Sequence, residues 1–223
     1  MKPIKITADS KGRFPNVWIT SDTHFGHKNI CRGVTDWRLP DGTIPVDQTR
    51  DFSSVDEMND VIVRNINEVV GQDDILIHLG DWSFGGFENI RKFRDRILCK
   101  EIHLILGNHD TSIEKNRDNV QELFTSVNHY IRLMYKFKTF VLCHFPIQSW
   151  DGLSKGHIQL HGHVHLPTNL RFGKGKKMDV GMDGHPTFGV YNMDDIILMM
   201  DKREIVSDML FDHHTDELKG VVG

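Results

Sequence analysis

Residues 75–110 read ILIHLGDWSFGGFENIRKFRDRILCKEIHLILGNHD, and this stretch decides the fold class. Residues 75–79 are a short apolar run that ends in Gly80-Asp81, and residues 102–106 are a second run that ends in Gly107-Asn108-His109-Asp110. Between them, Ile90, Phe93 and Ile97 fall on one face of a helix over 87–98. Strand, helix and strand in that order predict a parallel βαβ unit.

The same alternation extends upstream. Residues 17–20 read as a short strand ending at Ser21-Asp22, and residues 55–70 as a helix with Met58, Val61, Ile62, Ile66, Val69 and Val70 at helical spacing. Ser54 with Glu57 forms a capping box, and Gly71 is expected to end the helix. Downstream, residues 130–135 and 139–143 are β-rich runs split by Lys136-Phe137-Lys138, the pattern of a hairpin. Residues 157–161 and 178–181 add further strands, so the second half is expected to be more antiparallel. Periodicity does not decide between helix and strand for residues 192–200. Residues 33–52 contain Pro40-Asp41-Gly42 and Ile44-Pro45 and no period, which predicts an exposed loop on the substrate side. We read a single domain over 1–223 whose polar tail, 212–223, is expected to fray.

Composition limits the function classes. The chain has 223 residues, 39% hydrophobic and 26% charged, ordinary values for a globular domain. A net charge of −4 provides no basic surplus, which argues against strong non-specific DNA binding. Cys31, Cys99 and Cys143 include no CxxC pair and read as reduced thiols rather than a zinc-thiolate site. Residues 1–14 lack the apolar core of a secretory signal, and the longest apolar run, 196–200, is far short of the ~20 residues that span a bilayer. A cytoplasmic location is therefore expected. The oligomeric state has no sequence signal. The unusual number is fourteen histidines.

Many of these histidines lie at strand ends. The first strand runs into Asp22-Thr23-His24, the second into Asp81, and the third into Asn108-His109-Asp110. The hairpin ends at His144, and the next strand runs into His161-Gly162-His163-Val164-His165. Open α/β sheets bind ligands at the carboxyl ends of their strands, so one convergent site is expected. In extended chain, residues two apart point the same way, which would aim Asp22 with His24 and His163 with His165. Gly80, Gly107 and Gly162 would let the backbone turn beside the ions. Nitrogen and oxygen donors without sulfur favour manganese, with iron, zinc or nickel as alternatives, and give calcium little reason to bind. The donors are too many for one ion, and a shared carboxylate between two ions is the economical arrangement.

The ordered set Asp22-x-His24, Gly80-Asp81, Gly107-Asn108-His109-Asp110, His144 and Gly162-His163-x-His165 resembles the calcineurin-like metallophosphoesterase superfamily. The run from Ser21 to His27 is similar to its small single-domain bacterial and viral branch. The resemblance implies an α/β fold, a four-layer α/β/β/α sandwich of two mixed sheets flanked by helices. It implies that Asp22, His24 and His165 hold one ion, that Asn108, His144 and His163 hold the other, and that Asp81 bridges them. It assigns His109 to the departing oxygen rather than to a metal. The expected reaction is attack on phosphorus by a hydroxide held between two divalent ions. The protein Ser/Thr phosphatase branch has an acidic residue where Phe84 stands and GNHE where this chain has Asp110, so protein phosphatase activity is disfavoured. Asp110 is the provisional partner for His109.

His27 lies close enough to His24 to face the substrate. Lys28, Arg32 and Arg50 are expected as solvated surface charges, with contact to a nucleotide phosphate as the alternative for each. His161 is expected behind the site, His185, His213 and His214 at the surface, and Trp37, Trp82 and Trp150 in loop packing. The substrate class favoured is a phosphodiester of a small nucleotide or a nucleic-acid end. A phosphomonoesterase or nucleotide pyrophosphatase is the alternative. A non-catalytic scaffold on the same fold is the alternative of another class, disfavoured because no ligand is missing.

Overall fold

The structure, a computed structural model, describes residues 3–32, 34–36, 38–44 and 48–207. The tail 212–223, His213, His214 and Trp37 lie outside the described residues. In chain order the elements are β1 (Ile4–Lys5), β2 (Val17–Thr20), β3 (Cys31–Arg32), β4 (Arg50–Asp51), α1 (Val55–Val69), β5 (Ile75–His78), α2 (Gly86–Arg96), β6 (Glu101–Ile105) and α3 (Thr111–Glu114). They continue with β7 (Ser126–Asn128), β8 (Tyr130–Tyr135), β9 (Lys138–Cys143), β10 (Ile158–His161), β11 (Lys177–Asp179), β12 (Tyr191–Asn192) and α4 (Met193–Asp201).

Two mixed sheets form the α/β/β/α sandwich. The first has the order β12-β2-β5-β6-β7, with β2, β5, β6 and β7 parallel and β12 antiparallel to β2. The second has the order β1-β8-β9-β10-β11. Among its described strands the only antiparallel strand pair is the hairpin β8–β9; β1, β10 and β11 all pair in parallel. The antiparallel second half expected from the β-rich runs is thus corrected: alternation along a strand is the same whichever way its neighbour runs.

The period of two sorts the core. Leu76, Ile102 and Leu104 face α1 and α2, joining Met58, Ile62, Ile66, Ile90 and Phe93. Their neighbours Ile75, Ile77 and Ile105 turn inward, against Leu133, Phe140, Leu142, Ile158 and Leu160 of the second sheet. The outer face of that sheet is covered by Trp150 and Leu153, against Val141. Trp82 is part of the first core, in agreement with a packing role.

Capping follows the sequence with shifts. Ser54 Oγ accepts the Glu57 N–H at 3.0 Å, but Glu57 returns its bond to Ser53 N–H, at 2.7 Å, rather than to Ser54. The α1 helix ends in extended Val70, and Gly71 is not left-handed. Asn192 Oδ1 accepts the Asp194 N–H at 2.8 Å and starts α4, which resolves 192–200 as helix. The hairpin turn uses Lys136 and Phe137, both left-handed at φ 45° and 63° as a two-residue turn requires. The ends of the 33–52 segment are not free, since β3 and β4 pair in parallel. Among the described residues no helix is long and apolar enough to cross a membrane.

Candidate metal centre

Because β2, β5 and β6 run parallel, their carboxyl ends lie side by side, and β9 and β10 bring theirs from the facing sheet. The chain leaving β2 lies along the chain leaving β5: Asp22 N–H donates to Gly80 O at 2.9 Å, and His24 N–H to Asp81 O at 3.0 Å. The second sheet is tied in where His163 N–H reaches the Asp22 carboxylate at 3.0 and 3.2 Å.

The candidate ligands converge. His24 Nε2 lies 3.2 Å from His165 Nε2, 3.7 Å from Asp22 Oδ1 and 3.6 Å from Asp81 Oδ2. His144 Nε2 lies 3.4 Å from Asp81 Oδ2 and 3.0 Å from Asn108 Oδ1, which is also 2.9 Å from His163 Nδ1. Ligating atoms of Asp22, His24 and His165 all lie within 4.8 Å of one another, as do those of Asp22, Asp81 and His144.

The convergence does not come from strand pleating. Asp22, His24, His163 and His165 are all left-handed, at φ 58°, 48°, 73° and 49°, and Asp81 joins them at 57°. Non-glycine residues reach this region only at a cost of about 1–3 kcal/mol each, and such residues concentrate at functional sites. The glycines differ in purpose. Gly80 is itself left-handed at φ 102°. Gly107 and Gly162 instead leave room for carboxylates: a Cβ would come within 2.2 Å of Asp81 Oδ1 at the first and 2.1 Å of Asp22 Oδ2 at the second. Gly162→Ala is therefore expected to destabilise the protein by about 1–3 kcal/mol, the usual cost of overpacking. An unchanged urea midpoint would mean that Asp22 has slack to move.

The site's electrostatics suit a cation. Asp22 is fully buried and Asp81 nearly so, at 0% and 2% exposure. Burial opposes their ionisation, but the surrounding histidines hold both carboxyls below the usual range. Burial likewise opposes charge on His144, yet its bond to Asp81 and the two carboxylates push it up to about 9. His24 and His163 are lowered, chiefly by burial. His144 Nδ1 donates to Leu79 O at 2.7 Å and His165 Nδ1 to Asp183 Oδ2 at 2.9 Å, so each ring, once it gives up its second proton, turns its Nε2 lone pair toward the cluster. A proton on His144 Nε2 faces Asp81 Oδ2 at 3.4 Å, and a divalent ion with nitrogen and oxygen ligands would take its place.

His24, His27, Ile30, Asp81, Asn108, His109, His163 and His165 line a cleft of about 190 Å³. His109 is exposed, and its main-chain N–H donates to Asp81 Oδ1 at 2.8 Å. His27 stacks on Phe84, with ring centroids 3.8 Å apart and planes at 17°. Burial, then the charges of His24 and His109, push His27 down to about 3, so it is neutral. Phe145 stands at the other side, its centroid 4.8 Å from that of His163.

Several expectations need correction. Asp110 does not orient His109: its carboxylate is buried and accepts the N–H groups of Asp81, Trp82 and Gly107 at 2.7, 2.9 and 2.9 Å. Adjacent side chains diverge, and this one turns inward as a loop clamp. Arg50 is no surface charge, at 0% exposure and 2.8 Å from Asp183. Lys28 and Arg32 are exposed as expected. His185 is half-buried, and its Nδ1 accepts Gly189 N–H at 3.1 Å. His161 is buried at the end of β10, behind the cluster. Asp183 went unnoticed in the sequence, although it follows the 178–181 strand and the strand-end rule would have found it. His78, buried between Thr23 Oγ1 at 3.0 Å and Gly80 N–H at 3.2 Å, carried no signal.

Comparison with known proteins places the chain in a family and a fold. A model of the calcineurin-like phosphoesterase family matches residues 15–208. The chain is 32% identical over 151 residues to an uncharacterised protein of Methanocaldococcus jannaschii, covering 67% of this chain and 69% of that one. It is 27% identical over 223 residues to the gene 66 protein of Mycobacterium phage D29, covering 87% and 97%. Among solved structures, a protein of unknown function from Aquifex aeolicus has the same fold. It matches with a TM-score of 0.60 at 21% identity, covering 82% of this chain and 98% of that one.

Proposed function

The chain belongs to the calcineurin-like phosphoesterase family, and from that premise we propose that it is a binuclear metal-dependent phosphodiesterase acting on a small nucleotide or a nucleic-acid end. The observation that carries the reading is the convergence of the side-chain nitrogen and oxygen atoms of Asp22, His24, Asp81, Asn108, His144, His163 and His165. Asp22, His24 and His165 would hold one ion, and Asn108, His144 and His163 the other. Asp81 would bridge, because its Oδ2 lies 3.6 Å from His24 Nε2 and 3.4 Å from His144 Nε2. Divalent ions, manganese first and iron, zinc or nickel next, would supply Lewis acidity that lowers the pKa of water and offsets charge on the phosphoryl oxygens.

The chain's own groups do the rest. His109, on the rim of the cleft and anchored through its backbone to Asp81, is the proton donor to the departing oxygen. Neutral His27, backed by Phe84, presents an uncharged polar edge to the ester. Phe84 with His27 on one side and Phe145 on the other leave aromatic walls on both sides of the cluster. That supports a phosphorus bearing an organic group on each side, hence a diester. The free cysteines and the absence of a basic surplus favour a cytoplasmic enzyme acting on small phosphate esters without strong non-specific DNA binding.

With manganese, the protein is expected to hydrolyse bis-p-nitrophenyl phosphate faster than p-nitrophenyl phosphate. Chelation should abolish both activities and manganese should restore them. A preference for the monoester makes the protein a phosphatase, and cleavage of nucleoside diphosphates makes it a pyrophosphatase. Two bound ions with no turnover on a nucleotide panel make it a scaffold, and failure to bind ions sinks the reading.

A further inference from the structure

Arg50 is among the largest side chains that the described structure buries completely. A guanidinium out of water is costly unless every donor is matched. Here Nη2 lies 2.8 Å from Asp183 Oδ2 and Nε 3.2 Å from Asp183 Oδ1, a two-pronged contact. The same guanidinium donates to the backbone oxygens of Asp22 at 2.5 Å and Thr23 at 2.8 Å. Asp183 also accepts from Thr49 Oγ1 and, at 2.9 Å, from His165 Nδ1. One ion pair therefore grips the left-handed chain of Asp22 and the far side of the His165 ring. No hydrogen bond or ion pair joins Arg50 or Asp183 to Asn108, His144 or His163 among the described residues.

We propose that Arg50 and Asp183 are positioning residues for one ion only, the ion of Asp22, His24 and His165. Asp183 fixes the His165 ring so that Nε2, not Nδ1, faces Asp22 and His24. Arg50 holds the Asp22–Thr23 backbone against relaxation out of its left-handed form. Buried ion pairs often hold a fold no better than apolar side chains of similar volume. The charges accordingly serve the geometry of the ligands. This inference rests on the two-ion reading above.

The test is Asp183→Asn, which keeps the size and removes the charge. Circular dichroism and thermal unfolding check that it folds. The affinity for one manganese ion is expected to fall about 10–100-fold, the usual cost of losing a group behind a metal ligand, while the other ion stays bound. At a manganese concentration that fills both wild-type sites, wild type should give the electron paramagnetic resonance signal of a coupled pair, and the variant a mononuclear six-line signal at one ion per chain. Arg50→Lys, which keeps the charge but not the fork, should fall between them. If Asp183→Asn does not fold, Arg50→Met combined with Asp183→Leu removes both charges at once and is read the same way. A folded variant that binds two ions with wild-type affinity overturns the inference, and so does one that loses both in parallel, as a merely structural role would produce. Wild-type protein that takes up fewer than two ions overturns the binuclear reading itself, and this inference with it.

Discussion

His109→Ala should lower turnover on an alkyl or nucleoside diester by about 10²–10⁴-fold, the range for a lost general acid, with metal content unchanged. The imidazole is exposed, and no side-chain hydrogen bond ties it to Asp22, Asp81 or Asn108. What links the residue to the cluster is its main-chain N–H on Asp81 Oδ1, at 2.8 Å, and alanine keeps that bond. The defect should also depend on the ester. p-Nitrophenolate leaves readily without a proton, so the loss on bis-p-nitrophenyl phosphate should be much smaller than on an alkyl diester. Steady-state rates on both substrates, with elemental analysis of the same samples, decide the matter. A fall in metal content would make His109 a ligand, and an equal loss on both substrates would exclude proton donation.

Asp81→Asn is expected to remove both ions together. Its Oδ2 lies 3.6 Å from His24 Nε2 and 3.4 Å from His144 Nε2, which belong to the two proposed ligand sets. An amide of the same shape can still accept the His109 N–H, and the Asp81 N–H bond to Asp110, at 2.7 Å, is a backbone contact that survives. The loop should therefore keep its path while the bridge loses its charge. Lewis-acid stabilisation is worth several kcal/mol. At about 1.4 kcal/mol per tenfold, turnover should fall by three orders of magnitude or more. Elemental analysis after dialysis against micromolar manganese is the measurement, and retention of two ions would rule out Asp81 as the shared ligand.

Much of this was legible because strand ends are punctuated. Apolar runs that stop at Gly80-Asp81 and at Gly107-Asn108 state both the strand and what it carries, and helical spacing fills the gap between them. Strand direction in the second sheet was not legible, since Ile158 to His161 would read identically in either orientation. Arg50 shows the limit more sharply. Arginine is normally exposed, and nothing around position 50 announces that Asp183 waits for it across the fold. Asp110 misled through adjacency, because neighbours in sequence turn to opposite sides. The left-handed candidate ligands were hidden for another reason. Aspartate and histidine carry no demand for positive φ, as glycine does, so only the packed structure reveals it. The start of α4 could have been read: Asn192 two residues before Asp194 is a cap signal that the uniform apolar run behind it obscured.

The bond from His163 to Asp22 joins residues 141 apart in the chain. During synthesis β2 must wait first for β5 and much later for β12, its two neighbours in the sheet. A ribosome adding ~5–20 residues per second exposes Asp22 and His24 many seconds before His165 has been made. An ion meeting the nascent amino-terminal half would find only part of the proposed ligand set. On the proposed ligand sets, metallation would be a late event, completed only on the finished polypeptide.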